Sequence, residues 1–182
     1  MNFFRQNSSL MNRILSLEGF AMYRGIAIRE ATAVDVDLVW QLHQHLSSDS
    51  IYKRYHSPRV PTRTEMIQMC ELCGENGRSF IATIPGKAEI VGMAYYIVQR
   101  ANPETAEPAL LVADAFQGQG IGRRLMNHLV EQAVAQGIRF FDAHVLPSNG
   151  SMVHLFNSSG RLLENHLSYG AREMRLQLGT EA

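Results

Sequence analysis

The chain has 182 residues, of which 46% are hydrophobic, enough for one domain with a full core and too few to expect two. Seventeen basic and seventeen acidic residues give a formal net charge of zero, so no overall field attracts nucleic acid or an anionic membrane, and partner recognition must be local. Two cysteines and no convincing secretion signal predict a reducing, cytoplasmic location rather than a disulfide scaffold.

Residues 1–25 are predicted to form an N-terminal extension that is helical or disordered. Leu10, Ile14 and Leu17 recur at helical spacing, but polar residues interrupt any continuous apolar run. The segment is therefore predicted to be neither a transmembrane span nor a signal peptide. The alternative is an N-terminal helix that packs on a second subunit and so forms a homodimer.

The first elements of the domain are predicted to be a strand and a helix. Residues 25–29 alternate between apolar and polar, as a strand does. Residues 33–46 then carry an apolar residue at every fourth position from Val34 to Leu46. That spacing predicts an amphipathic helix.

Two further helices are predicted before the second strand. Residues 51–55 form a short helix that Pro58 ends. Thr62 and Glu65 have the spacing of a capping box, which opens a helix through Cys73.

The histidines and cysteines of these helices do not predict a metal site. His43 and His45 are two residues apart and face different directions on a helix. Cys70 and Cys73 form a C-x-x-C without a second pair or suitably spaced histidines, and two cysteines cannot complete a tetrahedral zinc site. We expect both cysteines to lie in buried apolar packing.

A hairpin and a central strand come next. Residues 79–84 and 90–98 read as antiparallel strands joined by a turn. Gly92 inside the second of them indicates a bulge or a close backbone approach. After a turn at Asn102, residues 106–113 form a short strand whose apolar end is typical of a buried element.

A glycine loop joins this central strand to a helix. The loop reads Gln117-Gly118-Gln119-Gly120-Ile121-Gly122, and the helix after it runs to Gly137 with an apolar residue at every fourth position. Such a loop can turn several backbone N–H groups toward one anion, and the helix N-terminus adds positive partial charge. Arg123 and Arg124 in the first turn are unfavourable to the helix dipole unless an anion is near, which favours a phosphate ligand.

Two familiar phosphate motifs are excluded by spacing. The loop contains no Gly-Lys-Ser/Thr, and its glycines give G-x-G-x-G rather than G-x-G-x-x-G. The alternative is a tight connection that binds no ligand.

The chain then closes with a strand at 138–145, a short helix at 149–157 and a pair of strands at 162–168 and 172–178. The last of these alternates apolar and polar residues, as a half-buried strand does.

Val112 followed five residues later by Gln117 to Gly122 resembles the pyrophosphate-binding motif of the GNAT acetyltransferase superfamily. The run from Ala106 to Gly122 is similar to the GNAT domain of bacterial protein lysine acetyltransferases, and a weaker resemblance extends over about residues 26–178. The resemblance implies one GNAT domain at 26–179. The implied fold is a mixed α/β fold, a mostly antiparallel sheet with a splayed parallel pair, flanked by helices.

The resemblance also implies a ligand and its site. The donor is acetyl-CoA or another acyl-CoA, with its pyrophosphate on the glycine loop and its pantetheine arm along the central strand. The implied cofactor-binding residues are Leu111, Val112, Ala113, Gln117, Gly118, Gln119, Gly120, Ile121, Gly122, Arg123, Arg124 and Asn149. Asn149 read by itself is an N-cap, and the two roles are compatible.

Glu107 occupies the position of the catalytic base in the resembled lysine acetyltransferases, where it would act through water. Read by itself, it is a solvated carboxylate near a strand end. Phe156 stands where the family commonly has a tyrosine that acts as general acid, and it has no proton to give.

The predicted function is an N-acetyltransferase, with a protein lysine as the first acceptor to test and a small amine as the second. The alternative is a sensor that binds acyl-CoA without catalysis.

Overall fold

The computed structural model describes residues 25–179, which contain seven strands and five α-helices. The strands are β1 Ala27–Glu30, β2 Gly77–Thr83, β3 Ile90–Gln99, β4 Asn102–Val112, β5 Phe140–Val145, β6 Arg161–Ser168 and β7 Ala171–Gln177. The helices are α1 Val36–Gln44, α2 Ser48–Tyr55, α3 Arg63–Cys70, α4 Ile121–Ala135 and α5 Gly150–Asn157. The predicted extension at residues 1–25, with its alternative as a dimer helix, lies outside the described residues except for Gly25.

All seven strands belong to one sheet, in the order β1-β2-β3-β4-β5-β7-β6. Every neighbouring pair is antiparallel except β4 and β5, which are parallel. These two pair only through Thr105 with Phe140 and Ala106 with Phe141. Both strands continue beyond that point, so a gap opens between them and the predicted splayed parallel pair is confirmed.

Helix α4 covers one face of the sheet. The predicted stripe of Ile121, Leu125, Leu129 and Ala133 is buried, with no member more than 2% exposed. Gly92 confirms the expected close approach, because a Cβ there would lie 2.9 Å from Leu125 Cδ1. The absence of a side chain lets the helix lie close to the centre of the sheet.

Helices α1 and α3 help to cover the opposite face, and the buried side of α1 differs from the predicted one. Residues 33–35 form a turn of 3₁₀ helix before α1 begins, which leaves Val34 87% exposed. The buried residues of α1 are Val36, Val39, Leu42 and His43, so Leu42 is the one member of the predicted stripe that is buried. The change from three to 3.6 residues per turn shifts the apolar stripe along the chain.

The capping box at the start of α3 is confirmed, but the helix ends earlier than predicted. Both side chains of the box make their reciprocal hydrogen bonds, from Thr62 and Glu65. The last helical residue is Cys70, which is buried, whereas Cys73 is exposed. The prediction that Cys73 packs in the core is therefore wrong, because the chain leaves the helix before reaching it.

Candidate functional site

A cleft of about 630 Å³ occupies the gap between β4 and β5. Its walls come from these two strands, the glycine loop and helices α2 and α5. Lys53, Arg54 and Arg123 lie in this lining, together with three histidines and no aspartate or glutamate. Although the whole chain is neutral, the cleft is therefore suited to an anionic ligand.

The glycine loop presents free donors to this cleft. Gly118 and Gly120 have φ of 71° and 80°, a left-handed conformation that favours glycine. The first hydrogen bond of α4 runs from Arg124 N to Gly120 O, 3.1 Å. The N–H groups of the three residues between them, 121–123, have no partner within the helix, so they can bind an anion.

Side chains fix the loop to helix α2. The Gln117 side-chain amide donates to Val112 O at 3.0 Å and to Ser50 Oγ at 3.1 Å. Asp114 accepts from Ser47 N at 2.7 Å and from Ser50 Oγ at 2.6 Å. Burial acts to raise the pKa of Asp114, but these hydrogen bonds outweigh it and lower the pKa below its ordinary value.

Alternate residues of β4 direct their main-chain N–H and C=O groups to opposite sides of the strand. Ala113 N–H donates to Val91 O at 2.9 Å, and Ala113 O accepts from Phe116 N at 2.8 Å. By the alternation of an antiparallel pair, Leu111 also directs its main-chain groups to β3, whereas Val112 directs its N–H toward the gap. Of the three predicted residues, Val112 is therefore the one with a main-chain N–H that faces the gap, whereas Leu111 and Ala113 direct theirs to β3.

The structure brings most of the predicted cofactor residues together. The cleft lining includes Leu111, Val112, Gln117, Gly118, Gly120, Ile121, Gly122, Arg123 and Asn149.

Two predicted residues of the loop and helix turn elsewhere. Gln119 donates to Ala115 O at 3.0 Å, and Arg124 Nη2 donates to Ile26 O at 2.7 Å. Neither residue is part of the lining. Arg124 therefore links α4 to the residue just before β1.

Asn149 serves as the predicted N-cap and lies in the cleft wall. Its Oδ1 accepts from Met152 N at 3.2 Å, which satisfies one donor at the start of α5. Its Nδ2 is left for a ligand.

Glu107 is exposed and lies just after the last paired residues of β4 and β5. Glu107 is not part of the cleft lining. It acts electrostatically on His56, and His56 does line the cleft. Burial is the main cause that lowers the pKa of His56, followed by Arg54 and His144, while Glu107 opposes the shift. The carboxylate therefore lies near the end of the cleft that is away from the glycine loop.

Phe156 lies in the main core cluster and has no exposed surface. The adjacent His154 and Leu155 line the cleft, and Phe156 does not. The residue that replaces the usual tyrosine is thus a core residue here.

Arg54, which sequence reasoning missed, has a fixed position in the cleft wall. Its guanidinium carbon lies 4.8 Å from the ring centroid of Tyr55 and 5.2 Å from that of Tyr95. Its Nη2 donates to the Tyr95 hydroxyl. Both rings attract the cation and restrict its rotamers.

A buried histidine supports this arrangement from behind. His43 Nδ1 lies 2.8 Å from Val39 O, and its Nε2 lies 2.6 Å from the Tyr55 hydroxyl. Since a carbonyl only accepts, Nδ1 carries the proton and Nε2 accepts from Tyr55. Burial is the main cause that lowers the pKa of His43, so the ring stays neutral and holds Tyr55 in place.

Within residues 25–179, no group of three or more His, Cys, Asp or Glu residues is arranged to hold a metal ion. In the same part of the chain, no helix has the length and apolar character needed to cross a membrane.

A family model described as the acetyltransferase (GNAT) family matches residues 40–160. Acetyltransferase Pat from Mycolicibacterium smegmatis is 29% identical over 133 residues, which are 73% of this chain and 40% of that protein. The chain thus spans less than half of the length of this relative.

Solved structures show the same fold. The GNAT domain of S. lividans PAT superposes with a TM-score of 0.73 at 25% identity, covering 83% of this chain and 89% of that domain. A putative acetyltransferase from Salmonella typhimurium, solved with its cofactor acetyl-CoA, gives a TM-score of 0.68 at 21% identity, covering 86% of this chain and 96% of the other.

Proposed function

Because the chain belongs to the GNAT family of acetyltransferases, we propose that it transfers an acetyl group from acetyl-CoA to the side-chain amine of a protein lysine. The family supports an acyl-CoA-dependent N-acetyltransferase. The identity of the acceptor is the proposal. The observation that carries it is the cleft between β4 and β5, which continues into an open, polar face of the sheet.

The residues of the cleft fit acetyl-CoA. A pyrophosphate on the N–H groups of residues 121–123 would meet the positive end of α4 and the nearby Arg123. Gly118 and Gly120 leave the approach open, since a Cβ at either would have no atom within 4 Å. The lack of acidic side chains in the lining removes any charge repulsion with the phosphates. Bound here, acetyl-CoA would supply a thioester to the part of the cleft beside β4.

Val112 is the residue of this chain best placed to stabilise negative charge on the thioester oxygen. Its N–H faces the gap between the strands, where no strand partner competes for it. A backbone donor already fixed in a strand needs no reorganisation when the charge develops.

Glu107 is the proposed base and acts through water. Attack by a neutral amine forms the C–N bond and breaks the C–S bond, and the proton of the amine passes through water to this carboxylate. The thiolate of CoA takes its proton from solvent, because Phe156 is buried and carries no hydroxyl.

A polypeptide acceptor is favoured by the sheet face beside the cleft. The side chains of His144, Glu164 and His166 point to this face of β5 and β6 and are exposed. His144 lies both in the cleft lining and in a shallow depression with Glu164 and Glu173 on the face. An enclosed small-molecule site would instead bury most of its ligand. The open face leaves room for the chain on either side of a lysine.

CoA release measured over a panel of lysine-bearing proteins, lysine peptides and small amines tests the proposal, with mass spectrometry to locate the acetyl group. We expect acetyl-lysine on at least one protein. Turnover confined to small amines would refute the lysine assignment. Tight binding of acetyl-CoA with no turnover would favour the sensor.

We also propose a cytoplasmic location. Cys70 and Cys73 are both free thiols, and Cys73 is exposed, which suits a reducing compartment. Immunoblots of cell fractions test this, and recovery with the membrane or outside the cell would contradict it.

A further inference from the structure

The guanidinium of Arg54 is held in place but lacks a full set of partners. The rings of Tyr55 and Tyr95 pack against it, and the Tyr95 hydroxyl accepts one hydrogen bond. Its Nε is buried without any hydrogen-bond partner. A buried donor in this state costs free energy. The Tyr95 hydroxyl is the one hydrogen-bond partner that the described residues give this guanidinium.

No acidic side chain of the described residues neutralises this cation. Arg54 is absent from the ion pairs within 4.0 Å in residues 25–179. Its neighbour Lys53, also in the cleft wall, is paired with Asp49 at 2.6 Å. The two adjacent cations therefore differ, and Arg54 is the one whose charge faces the cleft uncompensated by a described carboxylate.

The phosphates of CoA are not the natural partner of Arg54. Tyr95, which fixes the guanidinium, pairs with Ala109 on β4. Ala109 precedes Val112 by three residues, roughly 10 Å of strand in the direction away from the glycine loop. The guanidinium thus lies beyond Val112, the proposed partner of the thioester oxygen, on the side away from the glycine loop, where a carboxylate extending from the acyl group or from the acceptor would reach it.

We propose that Arg54 determines specificity by binding a carboxylate of the reacting pair. The guanidinium matches the planar carboxylate and can donate two parallel hydrogen bonds. The carboxylate can come from the acyl group, as in a dicarboxylic acyl-CoA, or from an acidic residue next to the acceptor lysine. The proposal rests on the proposed lysine acceptor only where the carboxylate comes from a residue next to that lysine.

The first test concerns the acyl group and needs no acceptor. Calorimetry compares succinyl-CoA with acetyl-CoA on the wild type and on Arg54→Gln. If the acyl group supplies the carboxylate, the wild type binds succinyl-CoA more tightly by about tenfold to a hundredfold, the range for a charge-assisted hydrogen bond. Arg54→Gln removes that preference, so that the ratio of the two affinities falls to about one whatever the affinity of the variant for acetyl-CoA itself.

The second test concerns the acceptor and needs no turnover. Acetyl-lysine peptides flanked by Asp, Ala or Lys are compared for binding to the protein saturated with CoA, by fluorescence anisotropy. If the acceptor supplies the carboxylate, the Asp-flanked peptide binds best by a similar factor, and Arg54→Gln makes the three peptides equal. kcat/KM for the corresponding unacetylated peptides is expected to follow the same order.

Matched variants separate binding from folding. Arg54→Lys keeps the charge and should retain part of the preference, whereas Tyr95→Phe removes one hydrogen-bond acceptor and should weaken it. Arg63→Gln, which changes an exposed arginine paired with Asp37 outside the cleft, is the control. A thermal melt of each variant establishes that it is folded.

Two results would overturn the proposal. The absence of a carboxylate preference in both tests excludes the role outright. An equal loss of kcat/KM for every donor and peptide in Arg54→Gln would place Arg54 at the thioester oxygen instead. If no peptide binds but the succinyl-CoA preference depends on Arg54, then the lysine acceptor fails and the role of Arg54 holds.

Discussion

Replacement of Gly120 tests whether the glycine loop binds the pyrophosphate, because different side chains at this position separate the effect of backbone strain from the effect of charge. At φ of 80° a residue with a side chain is strained by about 1–2 kcal/mol, while its Cβ would contact nothing within 4 Å. Gly120→Ala should therefore lower Tm by a few degrees, roughly 2–8 °C. Because the added methyl group meets no protein atom and is uncharged, acetyl-CoA affinity should fall much less in Gly120→Ala than in Gly120→Glu.

Gly120→Glu adds a negative charge next to the proposed pyrophosphate. Two like charges about 4 Å apart near a protein surface repel by roughly 4 kcal/mol, or about a thousandfold in Kd. Calorimetry should show no heat for Gly120→Glu under conditions where the wild type binds.

The isosteric Gly120→Gln is the matched control, with the same strain and size but no charge. We expect its affinity to lie between those of Gly120→Ala and Gly120→Glu. If Gly120→Glu binds acetyl-CoA as tightly as the wild type does, the glycine loop is not the pyrophosphate site. If the Gln and Glu variants are equally weak, bulk rather than charge decides the affinity.

Three further predictions concern the base, the fold and the N-terminal segment. Glu107→Gln should keep acetyl-CoA affinity while lowering kcat/KM by about a hundredfold or more; rising pH should partly restore the rate by supplying neutral amine, and an unchanged rate would exclude this base. Asp35→Asn should lower Tm by roughly 4–8 °C at neutral pH, because a carboxylate with 2% exposure loses its bidentate pairing with Arg29, worth about 2 kcal/mol. The hydrogen bonds from Arg29 are the main cause that lowers the pKa of Asp35 below 3.8. The contribution of this carboxylate to the stability of the fold is therefore lost as pH falls through the lowered pKa. The Tm values of the wild type and the variant should converge only in acid. Deletion of residues 1–21 should leave a folded domain that binds acetyl-CoA, as judged by a cooperative melt and calorimetry; an insoluble product, or a halved mass by light scattering, would instead assign the segment to the core or to a dimer.

The parts of the site that depend on local chain geometry could be predicted from the sequence. Glycines at 118 and 120 are required by their positive φ, and the apolar spacing of α4 follows from the helical repeat. The N-cap role of Asn149 depends only on residues within one turn. Each of these signals lies within a few residues of sequence.

The parts that depend on tertiary contacts could not be predicted in this way. Arg54 meets Tyr95 across 41 residues, and Arg124 meets the carbonyl of Ile26 across 98. Neither separation leaves a periodic signal. For Arg124 the local argument pointed only to a phosphate, whereas its guanidinium also donates to a distant backbone carbonyl.

The hydrogen bonds that join Asp114 and Gln117 to helix α2 have a consequence for the strength of ligand binding. The same short helix carries Ser50, which contacts the loop, and Arg54, which faces the acceptor end. A ligand that moves the loop therefore also moves Arg54. The binding of acetyl-CoA and the binding of the acceptor are then linked by a coupling free energy. By thermodynamic reciprocity, the factor by which acetyl-CoA changes the affinity for an acceptor equals the factor by which that acceptor changes the affinity for acetyl-CoA.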